Sequence, residues 1–196
     1  LRGVTCNGNR FAHQALDNGC ALAVVDDPSV GDDDRLILCD YVLTTLQALA
    51  SFHLHQFACP VIQITGTNGK TTTKELVSAV LSEHYNVLFT QGNFNNHIGV
   101  PKTLLRLNAS HQIAVIETGA NHPGEIKLLS EIVDPDCGLI TNVGKAHLAG
   151  FGSFEGVIRT KGELYDYLRT KSDAFVFINA DNPYLQPIAH DLSRNT

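Results

Sequence analysis

The stretch Val61–Leu76, VIQITGTNGKTTTKEL, runs from an apolar segment through a short polar turn into a segment of helical character. Its turn, Gly66-Thr67-Asn68-Gly69-Lys70-Thr71, holds two glycines and a lysine at the mouth of the predicted helix. A strand, a glycine turn and a helix in that order are the setting of a phosphate-binding loop. Glycines let the backbone curl so that amide N–H groups converge on oxygens, and the helix N-terminus adds a favourable dipole. Lys70 can then reach the β- and γ-phosphates of a nucleotide, and the Thr71 hydroxyl is placed to ligate Mg2+. The usual spacing puts a glycine at position 64, where this chain has Ile64. An ordinary strand-to-helix turn with a solvated Lys70 is the competing reading of these residues alone.

Working outward, the pattern from Pro60 onward is regular. Apolar runs at VIQIT, NVLFT, QIAVIE, CGLIT and AFVFIN read as strands, separated by helical segments such as GEIKLLSEIV and FEGVIRTKGELYDYLR. Near-continuous apolar strands alternating with helices predict an α/β fold, a parallel sheet covered by helices on both faces. Ligands in such sheets collect beyond the carboxyl ends of the strands. Upstream, RFAHQALDNG reads as a helix ending at Gly19, and CALAVV and RLILC as short strands around an acidic loop. This is the expected remnant of a small α/β domain over residues 1–44, followed by a central domain over 45–196. The helix YVLTTLQALASFHLHQF, with Asp40 as its N-cap, is expected to bridge them.

Bulk properties narrow the field. The 196 residues are 43% hydrophobic and 17% charged, which fits a soluble globular chain with a real core. No run approaches the length of a membrane helix, and no signal peptide precedes the first strand, so neither membrane insertion nor secretion is expected. A net charge of -6 leaves no basic stripe for nucleic acid. The five cysteines are scattered and form no C-x-x-C pair, so free, buried thiols are expected rather than zinc or disulfides. With no methionine, a start at LRGVTC and an end at HDLSRNT, the chain reads as part of a longer protein.

Further groups fall at the same predicted sheet edge. Glu117 ends QIAVIE, opposite the glycine turn, where a carboxylate can bind Mg2+ or simply cap a helix. His147 sits in the glycine-rich loop TNVGKAHLAGFGS, where it is either a ligand or a surface hydrogen-bonding residue. Lys161 lies in the middle of an apolar helix face made by Val157, Ile158, Leu164, Tyr165 and Leu168. Either its stem runs along that surface to water, or its amine is buried and loses its proton. A neutral amine can add CO2, turning a cation into a carboxylate-like oxygen ligand suited to Mg2+. Asn93, Asn95, Asn96 and His97, in QGNFNNHIGVPKTLL, suit either a sugar or pyrophosphate or plain turns and caps.

Together TGTNGKTTT, GNFNNHIGVPKTLL, ETGANHPGEI and TNVGKAHLAGFGSFEGV resemble the Mur ligase family, the ATP-dependent amide ligases of peptidoglycan precursor synthesis. That family's shortened phosphate loop accounts for Ile64, and the resemblance covers essentially the whole chain. It is strongest to the branch that joins D-Ala-D-Ala to UDP-N-acetylmuramoyl-tripeptide through an acyl phosphate. The resemblance implies that Gly66 to Thr72 hold the ATP phosphates, with Thr71 and Glu117 on one Mg2+. It further implies His147 and a carbamylated Lys161 on a second Mg2+, and Asn93 and Asn96 facing the UDP-sugar. Lys70, Glu117, His147 and Lys161 are then the catalytic set. It also implies a monomeric enzyme of the bacterial cytoplasm whose first segment belongs to a UDP-binding domain. A C-terminal domain for the incoming amine is not among these residues, so the piece alone is not expected to ligate. Thr118 departs from the expected methionine, read here as a packing change. Competing readings are another ligase of the superfamily, a folylpolyglutamate synthase, an ATPase or GTPase switch, and a nucleotide-binding module without ligase activity.

Overall fold

The computed structural model of the chain describes residues 1–3, 5–144 and 148–189. They divide into two compact units, Leu1–Leu49 and Ala50–Thr196, with the division falling inside one helix.

In the first unit, helix α1 (Ala12–Asp17) precedes two short parallel strands, β1 (Ala23–Val25) and β2 (Leu36–Leu38), with Val24 opposite Ile37. Ala12 and Leu16 are the buried residues of α1, whereas Phe11 lies outside it in a 3-10 turn and is exposed. Asp26, just past β1, accepts hydrogen bonds from Asn9 Nδ2 (2.7 Å), Arg2 Nε (3.0 Å) and the backbone N–H of Val42 (3.2 Å). The bond from Asn9, then that from Arg2, holds its carboxyl down at about 2. Asp26 therefore serves the first turn of helix α2 (Val42–Leu54), the role that sequence proximity assigned to Asp40.

In the second unit five parallel strands form one sheet in the order β4-β5-β3-β6-β7. They are β3 (Val61–Thr65), β4 (Val87–Phe89), β5 (Ile113–Glu117), β6 (Cys137–Ile140) and β7 (Phe175–Phe177). The helices between them are α3 (Lys70–Ser82), α4 (Gly99–Leu104), α5 (Glu125–Val133), α6 (Leu148–Phe151) and α7 (Phe154–Leu168), and α8 (Leu185–Ala189) follows β7. β3 is central, and the chain crosses from its β5 side to its β6 side, which opens a crevice at the carboxyl end of β3.

Side chains alternate across the sheet. Val61, Leu88, Ala114 and Ile116 pack with Ala50, Leu54, Val100, Leu104, Leu129 and Val133 of the helices on one face. On the other face α3 brings Lys74 Nζ to 5.6 Å from the Phe89 ring centre. A second cluster joins Ile140 and Val176 to Val157, Leu164 and Leu168 of α7. Gly138 leaves room there, since a Cβ would stand 2.6 Å from a Leu168 methyl.

Burial of free thiols holds for Cys59 and Cys137, but Cys6 and Cys20 are exposed. His53 and His55 point apart: His53 Nε2 meets the Leu107 carbonyl at 2.8 Å, and His55 Nε2 meets Asp134 at 2.9 Å. Among the described residues no helix is long and apolar enough to cross a membrane.

Candidate active site at the carboxyl edge of the sheet

The turn after β3 is shaped by Gly66 and Gly69, whose φ angles are 142° and 77°. Both lie where side chains are disfavoured, and at Gly66 a Cβ would also fall 2.0 Å from Thr141 Oγ1. Gly69 starts α3 with no side-chain cap, so the first amides of the helix are left to other acceptors. The turn is braced by the loop that follows β6. Thr67 N–H donates to the Asn142 carbonyl (3.0 Å), Asn68 N–H to Asn142 Oδ1 (3.0 Å), and Thr141 Oγ1 to the Asn68 carbonyl (2.7 Å). Thr141 and Asn142 were not singled out in the sequence, although both stand in the TNVG run that drew attention to His147.

Gly66, Thr67 and Lys70 line a cavity of about 390 Å3, together with Asn95, Asn96, Gly119, Glu125, Phe151 and Lys161. Asn68, Gly69, Thr71 and Thr72 are exposed on the turn and the first turn of α3. Lys70 Nζ folds back onto the carbonyls of Gly66 (2.9 Å) and Thr67 (3.0 Å). Burial lowers its pKa, and the negative charge of Glu117 works against that.

Register puts Glu117 at the end of β5 directly beside Ile64, two residues before the glycine turn begins. It is only 1% exposed, an environment in which a carboxylate needs partners. Its Oε1 accepts from Asn95 Nδ2 at 2.8 Å, while Oε2 has no hydrogen-bond partner among the described residues. Just beneath, Gln63 Nε2 donates to Thr118 Oγ1 and Ser130 Oγ, each at 3.0 Å. Thr118 is therefore a hydrogen-bond acceptor in a buried polar group, and not merely a change of packing volume.

Lys161 is 3% exposed, and its Nζ lies 5.5 Å from the Phe151 ring centre on the cavity wall. Its stem does not run out to bulk water. Burial, and after it the charge of Lys70, pushes its amine down to about 8. The neutral form is thus within reach at physiological pH. Nearby, Glu163 fastens the start of α5, accepting from Gly124 N–H (2.7 Å) and Lys127 N–H (2.9 Å).

The asparagines divide by role. Asn96 Oδ1 accepts from the N–H groups of Ile98 (3.1 Å) and Gly99 (2.9 Å) at the start of α4, and Asn96 also lines the cavity. Asn93 is exposed and offers its carbonyl to Asn95 N–H. His147 lies outside the described residues.

The residues of the site have the chemistry that suits a phosphate chain and a cation. It has a helix start without a side-chain cap, a glycine cradle that a Cβ would fill, a lysine at its mouth, and a buried carboxylate oxygen with no hydrogen-bond partner among the described residues.

Comparison with known proteins agrees with this geometry. Residues 64–196 match the Mur ligase middle domain. The UDP-N-acetylmuramoyl-tripeptide–D-alanyl-D-alanine ligase of Bacillus subtilis is 42% identical over 188 residues, which is 95% of this chain and 41% of that protein. A crystal structure of MurF from Acinetobacter baumannii superposes with a TM-score of 0.89 at 36% identity, covering 98% of this chain and 42% of the other. MurF ligase from Thermotoga maritima, solved in complex with ADP, gives 0.89 at 33% identity, covering 98% and 44%. The chain thus spans about two fifths of the length of the relatives it matches. Through the middle domain that residues 64–196 match, the chain belongs to the Mur ligase family.

Proposed function

We propose that the protein is an ATP-dependent amide ligase of peptidoglycan precursor synthesis, acting in the bacterial cytoplasm. Its substrates in this reading are UDP-N-acetylmuramoyl-tripeptide and D-Ala-D-Ala. Leu1–Leu49 is read as part of a UDP-binding domain and the second unit as the ATP-binding domain of a monomeric enzyme. The observation that carries the reading is Lys161, an amine 3% exposed on the wall of the cavity that the phosphate-loop lysine also lines, where burial disfavours its charged form.

The chemistry divides into two displacements. The terminal carboxylate oxygen of the muramoyl peptide takes the γ-phosphoryl group, and ADP leaves. The D-Ala-D-Ala amine then adds to the acyl carbon, phosphate departs with the C–O electron pair, and the nitrogen loses a proton. Gly66, Thr67, Asn68, Gly69, Thr71 and Thr72 orient the phosphates through backbone amides and hydroxyls, and Lys70 turns from its own loop to meet them. Thr71 and Glu117 are the proposed holders of one Mg2+, and His147 and carbamylated Lys161 of a second. Bound Mg2+ supplies charge neutralisation between two anions that otherwise repel. The Lys161 carbamate forms when the neutral amine bonds to CO2 and releases a proton. Asn93 and Asn96 are proposed on the UDP-sugar side.

The test is phosphate release by the full-length protein with UDP-muramoyl-tripeptide and ATP, comparing D-Ala-D-Ala with single amino acids. Turnover confined to the dipeptide is expected, and turnover with a single amino acid instead would overturn the assignment. Depleting bicarbonate should lower the rate and adding it back should restore it; indifference would remove the carbamate.

A further inference from the structure

Glu117 cannot set its own direction. A glutamate side chain has three rotatable bonds, and a cation ligand must be held within a fraction of an ångström. The structure solves this with a residue from another loop. Asn95, between β4 and α4, donates its Nδ2–H to Glu117 Oε1 at 2.8 Å. A carboxylate only accepts, so the amide nitrogen must be the atom that faces it. The same residue is pinned by its backbone, whose carbonyl accepts from Gly119 N–H at 2.8 Å. Gly119 also makes room: a Cβ there would stand 3.2 to 3.3 Å from Cγ, Nδ2 and Oδ1 of the Asn95 carboxamide. The other end of the arrangement is Oε2, buried and without a partner among the described residues.

We infer that Asn95 is a positioning residue for Glu117, occupying one carboxylate oxygen so that Oε2 alone is presented to a divalent cation. Glu117 then binds in one-oxygen fashion. Gly119 belongs to the same device, because it lets the Asn95 carboxamide lie against the strand end. The inference rests on the reading of Glu117 as a cation ligand, and it joins two residues 22 positions apart.

The test uses the full-length protein with ADP and Mn2+ as the probe, free Mn2+ being counted by electron paramagnetic resonance. Asn95→Ala should weaken Mn2+ binding roughly tenfold, the lower range for loss of a group that orients a metal ligand. ADP binding in EDTA should stay as in the parent protein. Gly119→Ala, which leaves both polar groups chemically intact but crowds the Asn95 carboxamide, should weaken Mn2+ binding in the same direction, and it decides the matter if Asn95→Ala melts below the assay temperature. Glu117→Gln should abolish the ADP-dependent Mn2+ site. If Glu117→Gln does so while the other two variants change Mn2+ binding less than threefold, the positioning role is wrong. If Glu117→Gln leaves Mn2+ binding intact, the reading of Glu117 fails and the inference falls with it.

Discussion

Replacing Lys161 by methionine should make the ligand-free protein more stable while removing its proposed activity. Lys161 sits at 3% exposure among Val157, Leu164 and Leu168 and beside Phe151, an environment that accepts a thioether more readily than an ammonium. Its pKa falls from 10.5 to about 8, through burial first and the charge of Lys70 second. At about 1.4 kcal/mol per tenfold, that gap corresponds to roughly 3 kcal/mol by which the folded state disfavours the charged amine. The sign follows from linkage. Below pH 8 the amine is protonated in both folded and unfolded chains, so the full cost is present. Between pH 8 and 10.5 the folded state sheds its proton first, and the protein gains stability as pH rises. Lys161→Met removes both the cost and this slope. Urea denaturation of the parent and the variant at pH 7 and pH 10, in CO2-free buffer, measures the two together. The variant should be more stable by up to about 3 kcal/mol at pH 7, with much of the advantage gone at pH 10. Equal stabilities at pH 7, or parallel pH profiles, would refute the claim that a desolvated amine sits in this wall.

Gly66→Ala should abolish ADP binding measured by calorimetry and cost about 1–3 kcal/mol, since its φ of 142° is strained for a side chain and the Cβ meets Thr141 Oγ1. Thr118→Val keeps the shape but removes the acceptor of a Gln63 amide hydrogen; thermal or urea unfolding should show a loss of about 1–3 kcal/mol. His55 has a raised pKa, from its bond to the Ser51 carbonyl first and to Asp134 second. Its contribution is therefore complete below pH 6.5 and is lost as pH rises through the folded value, so His55→Gln should flatten the melting temperature profile between pH 5 and 8. Lys70→Ala should abolish nucleotide binding measured by calorimetry and lower the ligand-free stability by up to about 2 kcal/mol, since it gives up the two hydrogen bonds to the Gly66 and Thr67 carbonyls.

Much of the architecture was readable in one dimension because it is written in local pattern. Near-continuous apolar runs with helices between them yield a parallel sheet, and strand ends then place Gly66 and Glu117 on one edge. Lys161 was conspicuous because a lysine interrupts an apolar helix face. What local pattern does not carry is pairing between loops. Asp26 rather than Asp40 serves α2, Thr141 and Asn142 brace the glycine turn, and Asn95 reaches Glu117, all through hydrogen bonds that span many positions. Asn96 shows the limit from the other side: its spacing before α4 fits a helix cap as well as it fits a ligand contact, and its carboxamide does cap the helix.

The backward fold of Lys70 onto the Gly66 and Thr67 carbonyls has a kinetic meaning. On the proposed function, capture of a nucleotide would be an exchange of partners and not a simple addition. Two hydrogen bonds must break before the ammonium can serve an incoming phosphate, and each contributes about 1 kcal/mol in net terms. A lone inorganic phosphate, offering few compensating contacts, is poorly placed to displace that amine. A triphosphate that engages the uncapped start of α3 at the same time recovers the loss. On that reading the loop would discriminate by number of simultaneous contacts, a filter set by the protein's own hydrogen bonds.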